Sequence, residues 1–130
     1  MIDIENEVFN SIANALREQY GDGISVSGEY VEMPERFPFV SIVEDDNSEI
    51  EITKTLDRSP ETACNLMYTV NAYSNLKTSK KSQAKAILDV VDGCMHELGF
   101  TRTMRSQLPN VDRTIYRVTA RYTKIHQIFQ

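Results

Sequence analysis

Asp89, Asp92 and His96 recur at the spacing of one helix face, and Asp92 with His96 has the i,i+4 separation that can hold a metal ion. The neighbouring sequence supplies no third ligand, and Lys85 on the same side is placed to pair with Asp89, so a solvated helix face is expected. The run Glu44-Asp45-Asp46-Asn47 lacks the alternating ligands and the glycine of a calcium-binding loop, and reads as a hairpin turn. His126 has no adjacent carboxylate to orient it, no serine stands in a GxSxG context, and the five glycines are too scattered for a phosphate-binding loop. Cys64 and Cys94 stand among apolar neighbours outside any Cys/His ligand spacing and read as buried thiols. These residues support no enzymatic activity, and no metal or cofactor is implied.

The cations are better placed for recognition. Arg113, Arg117 and Arg121 share one face of a strand-like segment, and Lys77, Lys80 and Lys81 precede a helix-like one. A basic strand face beside aromatic rings can bind single-stranded nucleic acid. Against this, Tyr116 and Tyr122 fall on the face opposite the arginines, and a net charge of -5 opposes a polyanion. A small nucleic-acid or anionic-ligand binding module is retained as the alternative function.

The charge is unevenly spread. Residues 1–62 hold 15 Asp/Glu and 4 Lys/Arg, whereas residues 63–130 hold 4 and 10. Either strand pairing interleaves the two halves, or the protein carries two oppositely charged surfaces suited to head-to-tail association. The acidic row Glu49, Glu51 and Asp57 and the basic row Arg113, Arg117 and Arg121 are candidate complementary surfaces between subunits, with Lys77, Lys80 and Lys81 as further candidate contacts. The competing arrangement pairs these rows within one subunit on neighbouring strands.

The elements that must position these residues follow from periodicity. Ile4, Val8, Ile12 and Leu16 predict a helix over 4–20, ended by Gly21 and Gly23. Ile24, Val26, Gly28 and Tyr30 alternate as a strand, and the prolines of MPERFP interrupt it. FVSIV (39–43) reads as a buried strand running into the polar turn EDDNSE, with Ile50, Ile52 and Leu56 marking its hairpin partner. Residues 62–74 form a long strand with Leu66, Tyr68, Val70 and Ala72 on one face. Ser79 is a candidate N-cap for a second helix whose stripe is Ala84, Ile87, Leu88, Val91, Met95 and Leu98, stopped by Gly99. Residues 100–106 form a short strand, and Tyr116, Val118, Ala120 and Tyr122 face the core from the last one. The expected fold is α+β: a mostly antiparallel sheet with two α-helices packed on one face, as a single domain over 1–130.

Composition agrees, with 41% hydrophobic and 25% charged residues, values typical of a globular chain. No apolar run approaches the roughly 20 residues that span a bilayer. The N-terminus carries acids where a secretory signal carries cations, so cytoplasmic synthesis and no membrane partner are expected.

The order of segments resembles the tail terminators of long-tailed phages, also described as tail-completion or minor tail proteins, which are related to head–tail junction proteins. The resemblance runs over nearly the whole chain: "ALREQYGDGISV", then "ERFPFVSIVE", then "YTVNAYSNLKTSKKSQAKAILDVVDGCMHELGF", and last "RTIYRVTARYT". It implies a virion structural protein that forms a homo-oligomeric ring, commonly a hexamer, at the head-proximal end of the tail. Such a ring stops tube polymerisation and joins the tube protein to the head connector, after assembly in the host cytoplasm. It also implies no catalytic residues, and contact with nucleic acid only as DNA passing through the lumen.

Overall fold

The structure, a computed structural model, describes residues 4–31, 33–51, 62–108 and 112–128. Helix α1 (Glu5–Tyr20) forms because Val8, Ile12 and Leu16, one turn apart, are all fully buried together with Ala13. Gly21, at φ 69°, ends it in a backbone region that favours glycine, and its N–H bonds the Arg17 carbonyl. A 3-10 turn (Gly21–Gly23) leads to β1 (Ser25–Ser27), followed by β2 (Phe39–Glu51), β3 (Thr62–Ser74), α2 (Lys80–Glu97), β4 (Thr101–Leu108) and β5 (Tyr116–Ile128).

The five strands lie in the order β1-β2-β3-β5-β4. Only β1 runs parallel to its neighbour; the other pairs are antiparallel. Val40 and Ile42 of β2, Leu66, Tyr68, Val70 and Ala72 of β3, and Tyr116, Val118, Ala120 and Tyr122 of β5 share one face and are buried. They join Val8, Ile12 and Leu16 of α1 and Ile87, Leu88, Val91 and Met95 of α2 in one core. Each fully buried Val, Leu, Ile or Met side chain among them contributes roughly 1.5–3 kcal/mol. The fold is therefore α+β, with both helices on one face of a mostly antiparallel sheet.

Helix α1 covers the β1–β2 side, where Phe9 lies by Val26 and Ile42, whereas α2 packs on β3, β5 and β4. The helices also touch each other, the Cys94 thiol lying 3.7 Å from the Ser11 carbonyl oxygen.

Three expectations are corrected. The run Glu44–Glu49 is not a turn, because β2 continues through it as one 13-residue strand. A bulge between Glu44 and Asp46 absorbs the polar residues and turns both aspartates toward β3. Thr69 Oγ1 there donates to Asp45, while Asn65 Nδ2 lies 3.3 Å and Ser48 Oγ 3.1 Å from Asp46 Oδ2. Arg113 is not on the last strand: β5 starts at Tyr116, and Arg113 occupies the turn held by Asp112, whose Oδ1 accepts from the Thr114 N–H and hydroxyl. Finally, β1 is only three residues long. Ser79 does stand at the N-cap of α2, where its carbonyl accepts from the Gln83 N–H at 2.9 Å and its side chain makes no capping bond. Ser74 Oγ donates to Gln83 Oε1 at 2.5 Å, tying the end of β3 to the first turn of α2.

Candidate functional site

Polar groups converge on the sheet face opposite the helices. Strict alternation in β5 sends Arg117, Thr119 and Arg121 to this face, and register places them against Tyr73, Asn71 and Thr69 of β3. Beyond β3 stand Phe39, Ser41 and Val43 of β2; on the other flank, Leu108, Ser106 and Met104 of β4. The result is a trough of about 630 Å³ whose apolar lining includes Val43, Met67, Met104 and Leu108, and whose polar lining includes Asp45, Thr69, Arg117 and Arg121.

One end of this face is closed. Tyr73 is fully buried and donates its hydroxyl hydrogen to the Val31 carbonyl at 3.3 Å. Arg117 lies 5.5 Å from the ring centres of both Tyr30 and Tyr73, a cation–π arrangement, and its Nε donates to Asn71 Oδ1 at 3.1 Å. Burial raises the Tyr73 phenol above its usual range, against the opposing pull of Arg117. Arg121, further along, is exposed, and its guanidinium has no ion pair among the described residues. Asp45 borders the trough from the β2 side, with Thr69 standing between Asp45 and Arg121.

The helix face with apparent metal-binding spacing is used otherwise. Arg102 Nη1 lies 2.5 Å from Asp92 Oδ2, Arg105 Nη1 lies 2.9 Å from Asp89 Oδ1, and Tyr122 donates its hydroxyl to Asp92. Arg105, with Nη2 also donating to the Lys85 carbonyl at 3.1 Å, takes the place expected for Lys85 as the partner of Asp89. These contacts clamp the edge strand β4 to α2. Burial, and then the bond to Asp92, push the Tyr122 phenol far above its ordinary range. Among the described residues no group of three His, Cys, Asp or Glu is arranged to hold a metal ion.

The residues expected to matter are distributed as follows. Arg117 and Arg121 share the open face. Glu49 and Glu51 lie in β2, opposite Cys64 and Thr62, while Asp57 lies outside the described residues. Because β3 separates β2 from β5, the acidic and basic rows are not on neighbouring strands. Lys77 is exposed in the turn before α2, Lys81 is exposed on its first turn, and Lys80 Nζ lies 3.5 Å from the Arg113 carbonyl oxygen. The sequence reading missed Tyr30 and Tyr73 as aromatics beside the arginines, and Arg102 and Arg105 as partners of α2. A bulge at Thr103 hides the two arginines, since they are neither two nor four residues apart.

No family model matches the chain, and no curated protein matches it. Among solved structures, a chain of the "virion of native gene transfer agent (GTA) particle" is similar, with a TM-score of 0.70 and 12% sequence identity over 96% of this chain and 95% of that one. At that identity the likeness is one of fold, and it spans nearly all of both chains.

Proposed function

We propose that this chain is a structural subunit of a phage-type virion, which closes into a ring and ends the tail tube where it meets the head connector. The observation carrying the reading is the end-to-end likeness in fold to a gene transfer agent virion chain. The ordered resemblance of its segments to tail terminators supports the finer assignment, with a hexamer as the expected ring. The work of such a protein is steric and adhesive. It needs exposed surfaces that fit neighbours, and it needs no bond-making chemistry. The open sheet face, a trough with Asp45 on its β2 side and Arg117 and Arg121 across from it, is a surface of that kind. Negative-stain electron microscopy of the purified chain tests the reading: closed rings of uniform diameter support it, and a field of single small particles at every concentration contradicts it.

One observation favours a second reading, a small module for nucleic acid or an anionic ligand. Tyr30 is 53% exposed and stacks beside Arg117, so one aromatic ring does share a face with the cations. Fluorescence anisotropy with a labelled single strand separates the two. Salt-sensitive binding by a monomer favours the module.

A further inference from the structure

The order of the strands gives the uneven charge of the chain a spatial consequence. The acidic first half supplies α1, β1 and β2 at one edge of the molecule, and the basic second half supplies β5, β4 and the start of α2 at the other. Each edge carries a groove between a helix and a strand. On the first edge, a groove of about 480 Å³ runs between α1 and β1–β2, with Glu5 and Glu29 on its rim and Phe9, Val26 and Ile42 at its base. On the second, a groove of about 430 Å³ runs between α2 and β4, lined by Lys81, Lys85, Arg102 and Arg105 with Tyr116 and Val118.

Several charges along the two edges make no ion pair among the described residues. Asp89 and Asp92 engage Arg105 and Arg102 from the α2 side, which leaves Lys81 and Lys85 exposed and without ion pairs among the described residues. Lys77, Lys80 and Arg113 extend the same basic edge. Glu7 and Glu29 are exposed on the acidic edge, also without ion pairs among the described residues. The grooves are similar in size, opposite in sign and at opposite edges. A contact between them joins two different surfaces, so it adds copies head to tail and can close into a ring.

We infer that the basic α2–β4 groove of one copy receives the acidic α1–β1 edge of a second copy of this chain. The inference rests on the ring reading above and names the two surfaces that carry it. Charge complementarity of this sort sets register and rate of encounter, while the apolar floors supply contact area.

Two charge-reversed variants, Lys81→Glu/Lys85→Glu and Glu7→Lys/Glu29→Lys, test it by light scattering and thermal melting. The affected side chains are exposed, so unchanged melting temperatures are expected. Each variant alone is expected to fall from an oligomer to the 14.9 kDa single chain. Mixed in equal amounts the two are expected to reassemble, because each then offers the sign the other lacks. Variants that still assemble alone, or a mixture that stays monomeric, overturn the groove assignment and leave the ring reading standing. A wild-type chain that is monomeric throughout overturns both. If reversal of Arg117 and Arg121 disrupts the ring while the groove variants do not, the contact belongs to the open sheet face.

Discussion

Arg117 on β5 donates through Nε to Asn71 Oδ1 on β3 at 3.1 Å, and Asn71 is only 3% exposed. A charged donor thus satisfies a buried amide oxygen while its guanidinium lies over Tyr30 and Tyr73. Arg117→Ala is expected to destabilise the chain by about 1–3 kcal/mol, because it removes the stacking and leaves the Asn71 oxygen without its donor. Arg117→Lys should recover only part of that, since an ammonium cannot reproduce the planar fork. Calorimetry of the two variants checks this, and an Arg117→Ala protein as stable as the parent would show that the contact contributes nothing.

The Tyr122–Asp92 bond makes stability depend on alkaline pH. The folded-state pKa of Tyr122 is raised, by burial first and by Asp92 second, above its unfolded value near 10. The stability contributed by the neutral phenol is therefore fully present below about pH 10 and is lost as pH rises from there toward the folded pKa. Tyr122→Phe should cost about 1 kcal/mol at pH 8, for the lost hydrogen bond. Its own alkaline decline should be shallower, so the difference from the parent narrows at pH 11. Urea titrations at both pH values measure that difference, and a constant gap would remove Tyr122 as the titrating group.

Gly99 closes α2 in a conformation other residues avoid. At φ 89° its N–H bonds the His96 carbonyl at 3.0 Å, and the following Phe100 N–H bonds the Met95 carbonyl at 2.8 Å. A Cβ at this position meets Lys124 Cε at 3.3 Å, and the Lys124 ammonium donates to the Leu98 carbonyl at 2.6 Å. Gly99→Ala should therefore destabilise by about 1–2 kcal/mol through the backbone alone, with some displacement of Lys124. Thermal melts check the size. A neutral substitution would mean that the turn can relax at no cost.

The sequence made the sheet's core face legible wherever alternation was unbroken. In β5, the run from Tyr116 to Thr123 keeps strict parity, and Arg117 and Arg121 lie on the face that parity assigns. The two helices were legible from stripes such as Val8, Ile12 and Leu16. What local pattern does not carry is which strands are neighbours. The acidic segment of β2 became a continuous strand because Thr69 and Asn65, far away in sequence, give Asp45 and Asp46 partners that a turn would have left to water. The same holds for Asp89, whose partner was set by the return of β4 past α2, and for Tyr73, which joins Arg117 through strand pairing. Bulges at Glu44–Asp46 and at Thr103 each shift parity by one residue, which no period-2 reading can follow.

In the proposed ring, this chain works by assembling with itself. Its mass in solution, measured by light scattering across a wide range of protein concentration, tests this. The expected result is a discrete oligomer, a fixed multiple of 14.9 kDa and a hexamer if the finer assignment holds, weakened by high salt where charged edges meet. A mass of one chain at every concentration and salt would contradict it.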